Sequence, residues 1–281
     1  MHFRFLLAAA LVLMPALAQA ATLDRIRETG TLRIGVREDA PPFSYRNEQN
    51  EPAGYVVELC RIVADQIREA VGVERLPVEP VGVTAENGFQ AVADGDIDLL
   101  CGATTITIGR RDTVEFSVPI FIDGAGVVVR RGGATTLRDF AGQKVGVRAG
   151  TTTERSLRAS LDDLGVGAEI VTFDSHEAGL GALKNQEVAG YFADRAILIY
   201  LMQQDQAGSA DLVLSDQYFT YETYGLAFAK DDPAFRDLVD RTLSRIYRSR
   251  AIGEVFKKGF GPDANPSDVL QALYLISALE D

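Results

Sequence analysis

An α/β protein with two lobes joined by two crossovers is the fold that the sequence predicts, on three observations. Short β-branched runs alternate with longer amphipathic stretches, the pattern of sheets covered by helices on both faces. Two strand–turn–helix openings, Leu32-Arg33-Ile34-Gly35-Val36 and Lys144-Val145-Gly146-Val147-Arg148, recur about 112 residues apart, so each can start its own lobe. A charged, glycine-rich break at Arg130-Arg131-Gly132-Gly133 precedes the second opening, and one extended run, 221–229, follows the second set of elements. Crossings near 128–133 and 220–226 divide the chain into a leader of 1–20, a first lobe of 21–129 with 225–281, and a second lobe of 130–224.

The elements follow in order. Arg4 precedes an unbroken apolar run from Phe5 to Leu13, then Pro15 and Ala18-Gln19-Ala20, the layout of a secretory signal cleaved after Ala20. The run is too short to span a bilayer, which needs about 20 apolar residues. The mature chain is therefore expected outside the cytoplasm and not membrane-spanning. Strands are expected at 32–36, 76–81, 98–101, 126–130, 144–148, 169–173, 190–193 and 211–214. Helices are expected at 54–70, 86–94, 152–164, 176–185, 194–204, 233–248 and 252–259. An amphipathic tail, 266–281, is expected to pack on the first lobe or to dock a partner.

Composition narrows the function. The 281 residues are 47% apolar and 24% charged, a folded chain with length for about two domains. Twenty-eight Lys and Arg against 40 Asp and Glu leave a net charge of −12, which repels phosphate backbones, so nucleic acid is not an expected partner. Cys60 and Cys101 are the only cysteines, and an even count in an oxidising compartment favours a disulfide over two buried thiols. His176 stands alone once His2 leaves with the leader, so neither a metal site nor a cofactor is expected. The chain has no phosphate-cradling Gly-x-x-x-x-Gly-Lys and no Gly-x-Ser-x-Gly elbow.

What the sequence offers instead is polar groups at strand ends, where ligands of open α/β sheets bind. After the strand at 98–101 come Ala103, Thr105 and Arg110, and a guanidinium there grips a carboxylate through two parallel hydrogen bonds or merely decorates a helix start. Thr151, Thr152 and Glu154 have the spacing of a capping box after Arg148, and a helix N-terminus facing a cleft attracts anions. Asp194, after 190–193, is either a helix N-cap or the receiver of an ammonium group. A cation-gripping carboxylate and an anion-gripping arginine on different lobes suit a zwitterion, most commonly a free amino acid. Phe43, after Pro41-Pro42, either covers the ligand's stem or packs in the core.

These residues carry a resemblance. Leu32 to Val36 leading to Pro41-Pro42-Phe43, Gly54-Tyr55-Val56-Val57-Glu58-Leu59, Thr105-Ile106-Thr107 with Arg110, Glu115-Phe116-Ser117, Ala149-Gly150-Thr151-Thr152 and Tyr224-Gly225-Leu226-Ala227 resemble, in order, motifs of the polar amino-acid-binding proteins of ABC transporters, solute-binding protein family 3. They also resemble the ligand-binding core of ionotropic glutamate receptors. The resemblance implies the two-lobed periplasmic-binding-protein-like fold and a receptor in the periplasm, not an enzyme, that delivers an amino acid to a membrane permease. It implies that Arg110 and Thr105 hold the α-carboxylate, and that Asp194, the Ala103 carbonyl and the Thr105 hydroxyl hold the ammonium. Thr151 and Thr152 would face the side chain or carboxylate, and Phe43 would cover the stem. Two positions depart from the pattern: Ala40 stands where many relatives carry a stacking aromatic, and Arg37 where cation binders carry Asp. With Arg148 as a further cation, glutamate or aspartate is expected first, glutamine or asparagine next. Rival readings are an enzyme like the cyclohexadienyl dehydratases, which resemble this fold, and a ligand-sensing receptor module.

Overall fold

The computed structural model describes residues 21–134 and 136–280; the expected leader and its cleavage after Ala20 lie outside them. Two five-stranded sheets repeat one plan. In the first, Leu32–Arg37 pairs in parallel with Val78–Val83 on one side and Leu99–Cys101 on the other, and Ala227–Phe228 and Glu115–Phe116 follow antiparallel. In the second, Lys144–Arg148 lies in parallel between Glu169–Phe173 and Gly190–Asp194, and Ala125–Arg130 and Leu212–Leu214 follow antiparallel. Ile34 pairs with Leu99, and Val145 with Gly190, so both central strands run their carboxyl ends the same way as their neighbours.

Apolar periodicity makes these layers. In the helix Tyr55–Val71, Val56, Leu59, Cys60, Val63 and Ile67 are buried at helical spacing and face the first sheet. Cys60 is disulfide-bonded to Cys101 at the end of a central strand, with the two Cα atoms 6.2 Å apart, so the bond ties helix to sheet. The second sheet buries Val127, Val145, Val147 and Phe192 against Leu157 and Leu161 of the helix Thr152–Asp163. The tail forms a helix, Asp268–Ser277, that packs against Pro233–Arg248 and bonds to the first lobe through the Tyr274 and Tyr55 hydroxyls, 2.8 Å apart.

Two expectations shift. The edge strand lies at Val78–Val83, two residues later than expected, where an edge tolerates Pro80. The first crossing is earlier than expected: Ala125–Arg130 belongs to the second sheet, so the chain has already changed lobe before Arg130-Arg131-Gly132-Gly133, which is a turn after a strand. A buried apolar strand reads the same in either lobe, and only pairing distinguishes them. The crossing segments are Phe121–Asp123 and Glu222–Tyr224, paired antiparallel with Asp123 opposite Glu222 and Phe121 opposite Tyr224.

Candidate functional site

The strand Leu99–Cys101 ends in Gly102 to Thr105, and a one-turn helix, Ile108–Arg111, follows, capped by the Thr107 hydroxyl, which accepts from the Arg110 N–H at 3.1 Å. The Arg110 side chain folds back over this segment. Its Nη1 donates to the Thr105 carbonyl at 2.8 Å, and its guanidinium lies 4.4 Å from the centre of the Phe89 ring. Among the described residues it has no carboxylate within ion-pair distance. Burial, and after it Arg155, pull its pKa down to about 10.

In the second lobe Arg148 leads through Gly150 to Thr151, the N-cap of Thr152–Asp163. The Thr151 hydroxyl accepts from the Glu154 N–H at 3.1 Å, and Glu154 reaches back to the N–H of Gly150, one residue before the cap, at 3.0 Å. Asp194 stands at the N-cap of Arg195–Gln204 but does not cap it. Asp123, on the crossing strand, accepts from the Ala196 N–H at 3.1 Å in its place. The Asp194 carboxylate thereby turns elsewhere: it accepts from the Thr153 hydroxyl at 3.1 Å and the Tyr224 hydroxyl at 2.5 Å. Burial, and next Glu222, push its pKa up to about 6; burial, and next Asp194, push Asp123 to about 7.

Arg110 and Asp194 line one cavity. Ala103, Thr105, Thr151 and Thr152 line it as well, so six of the eight sequence-expected ligand residues converge. The other two do not. Phe43 is fully buried in an aromatic cluster, its ring 4.8 Å from Phe121 and 5.2 Å from Tyr224, because the turn at Pro41-Pro42 aims it into the first lobe. Arg148 lies outside the cavity, held by Asp39 and Glu86, each at 2.7 Å.

Residues outside the expected ligand set share the cavity. Arg37, 5% exposed, lines it, paired with Asp39 through Nε at 2.8 Å, while its Nη2, 2.7 Å from the same oxygen, makes no well-aligned hydrogen bond. His176 lines it beside Arg37, with Nδ1 3.0 Å from the Tyr191 hydroxyl, and burial followed by Arg37 push its pKa down to about 3, so the ring is neutral. Glu222 does not line the cavity but ties its wall together: one oxygen accepts from Thr105 at 2.5 Å and from Thr152 at 2.7 Å, one hydroxyl from each lobe.

The cavity is small, ≈ 30 Å³. A single water needs roughly 10–15 Å³, so the cavity as it stands is too small for an amino acid. A wider groove, ≈ 820 Å³, lies beside the cavity and is lined by residues of both lobes, among them Tyr45, Arg148 and Tyr200.

The model for bacterial extracellular solute-binding proteins, family 3, matches residues 32–262. The chain belongs to this family. The solute-binding protein is 31% identical over 258 residues to the L-glutamate/L-aspartate-binding protein of Pseudomonas aeruginosa, covering 90% of this chain and 84% of that one. It is 28% identical over 272 residues to the glutamate/aspartate import solute-binding protein of Escherichia coli, covering 92% and 89%. Among solved structures, a mutant of ArgBP from T. maritima superposes with a TM-score of 0.75 at 26% identity, covering 85% of this chain and 99% of that one. Among the described residues no helix is long and apolar enough to cross a membrane.

Proposed function

We propose that this solute-binding protein captures an acidic L-amino acid, glutamate or aspartate before glutamine or asparagine, between its lobes and delivers it from the periplasm to the permease of an ABC transporter. The observation that carries the reading is that Arg110, Asp194 and Arg37 share one cavity, two cations and one carboxylate for a ligand with two carboxylates and one ammonium. Arg110 and the Thr105 segment hold the α-carboxylate. Asp194 and the Ala103 carbonyl hold the ammonium. Arg37, beside the neutral His176, meets the side-chain acid, with the Thr151–Thr152 helix terminus facing it from the second lobe. The names of the P. aeruginosa and E. coli relatives support the same ligand class. The mature chain begins at Ala21.

Titration calorimetry over the twenty amino acids tests the reading. It expects glutamate and aspartate to bind tightest; tight lysine or arginine binding with no heat from glutamate refutes it.

One observation favours a second reading: a carboxyl in a cleft with its pKa raised to about 6 suits general acid–base chemistry, as a dehydratase of this fold needs. Both Asp194 oxygens, however, are already engaged by Thr153 and Tyr224, which suits holding a cation better than passing a proton. Incubation with prephenate or arogenate separates the two, and turnover of either establishes the enzyme.

A further inference from the structure

Arg148 ends the second-sheet strand Lys144–Arg148, yet its side chain, only 4% exposed, reaches into the first lobe. Nε donates to Asp39 Oδ2 and Nη1 to Glu86 Oε1, both at 2.7 Å. Asp39 follows the strand Leu32–Arg37, and Glu86 precedes the helix Gly88–Ala93, so both acceptors belong to the first lobe. The other oxygen of Asp39 accepts from Arg37 at 2.8 Å. Asp39 thus joins the cation that lines the ligand cavity to a cation from the opposite lobe. The backbone at this junction is built for close approach. Gly150 has φ +72°, and a Cβ there would lie 2.6 Å from the Glu86 side chain.

We propose that Arg148, Asp39 and Glu86 form an interlobe latch that keeps a closed population even without ligand, slows reopening, and through Asp39 holds Arg37 at the side-chain end of the cavity. The latch rests on the reading that the lobes open and close around a solute, but not on which solute. Its two charge-assisted bonds exist only when the lobes meet, so they act on opening more than on encounter. Arg148 Nη1 also donates to the Ala149 carbonyl at 3.1 Å, a contact within its own lobe that keeps the guanidinium aimed outward when the cleft opens. The latch makes Arg148 a positioning residue that reaches the ligand only through Asp39 and Arg37.

The test measures the distance between spin labels at E48C and E177C, exposed sites on opposite walls of the outer groove, in the full-length mature protein without ligand. The native cysteines are bonded to each other, so only the introduced thiols take label. The wild-type background is expected to show a short-distance population that falls at least threefold in Arg148→Met and in Glu86→Ala. Glu86 is 42% exposed, so its variant reports even if Arg148→Met fails to fold. With L-glutamate, stopped-flow dissociation is expected to speed up about tenfold in Arg148→Met, with the association rate within about twofold of wild type. A wild-type population that is wholly open, or distance distributions identical in wild type and Glu86→Ala, overturns the latch. If L-glutamate gives no heat with the wild type, the ligand assignment fails, while the label distances still decide the latch.

Discussion

Replacing Arg110 with Met should make the ligand-free protein more stable and at the same time deprive it of L-glutamate. The guanidinium is desolvated, and the fall of its pKa to about 10 means that the fold disfavours its charged form by about 3 kcal/mol relative to the open chain. The group is charged in both folded and unfolded chains at any pH below about 10, so this cost is constant across the neutral range. Two contacts offset part of it: the hydrogen bond to the Thr105 carbonyl, worth about 1 kcal/mol, and the seat over Phe89, worth about 1 kcal/mol. Met keeps an unbranched apolar stem and carries no charge. The balance is a gain of about 1 kcal/mol, or roughly 2–4 °C in melting temperature for a protein of this size. Binding moves the other way, because a ligand carboxylate buried without its guanidinium loses at least about 2 kcal/mol, close to thirtyfold in affinity. Differential scanning calorimetry with and without L-glutamate, followed by titration calorimetry, reads both effects. A variant that melts lower and binds glutamate as the wild type does refutes the reasoning.

Three further outcomes are expected. Burial raises the Asp194 pKa to about 6, so the empty site takes up a proton that an arriving ammonium must expel; affinity should rise from pH 5 to pH 8. Calorimetry in buffers of different ionisation heat should register proton release near pH 6, and an affinity independent of pH counts against the ammonium seat. Tyr224→Phe removes a hydroxyl that donates to Asp194 and lowers its pKa, so the midpoint of that profile should move to higher pH, whereas a change in affinity with the midpoint fixed assigns Tyr224 to packing alone. The Cys60–Cys101 bond closes a loop with a sequence separation of 41, for which chain entropy gives about 4 kcal/mol. The double Ser variant should lose stability of that order in urea, and an unchanged midpoint with the same slope contradicts it.

Much of the site was legible because its residues sit at the carboxyl ends of strands that the apolar pattern marks clearly. That rule marks Arg110, Thr105, Thr151, Thr152 and Asp194 as candidates, the family resemblance gives them ligand roles, and the two sheets bring them to one cavity. What escaped depends on direction or on pairing. Arg148 was placed on the right strand end, but nothing in the sequence shows that its side chain crosses to Asp39 and Glu86. The turn at Pro41-Pro42 reads the same whether Phe43 faces ligand or core, and here it braces Tyr224. Asp123 and Glu222 went unnoticed because they stand in the two short crossing strands, whose antiparallel pairing makes them neighbours across 99 residues of chain. Their signal was weak but present: each is a carboxylate at the end of a short strand whose other residues are apolar or neutral, Phe-Ile-Asp and Glu-Thr-Tyr. His176, set aside as solitary, reaches the cavity because its helix starts at the mouth of the second sheet. The first crossing was displaced for the same reason as Arg148: periodicity identifies a strand, not the sheet it joins.

The most direct measurement compares L-glutamate with two ligands that each lack one charged group at the α-carbon, γ-aminobutyrate without its α-carboxylate and glutarate without its ammonium. With Arg110 and Asp194 gripping opposite ends of the same α-carbon, both analogues should bind at least a hundredfold more weakly than glutamate. Glutarate binding as tightly as glutamate would mean that Asp194 holds no ammonium, and equal binding of γ-aminobutyrate would remove Arg110 from the site.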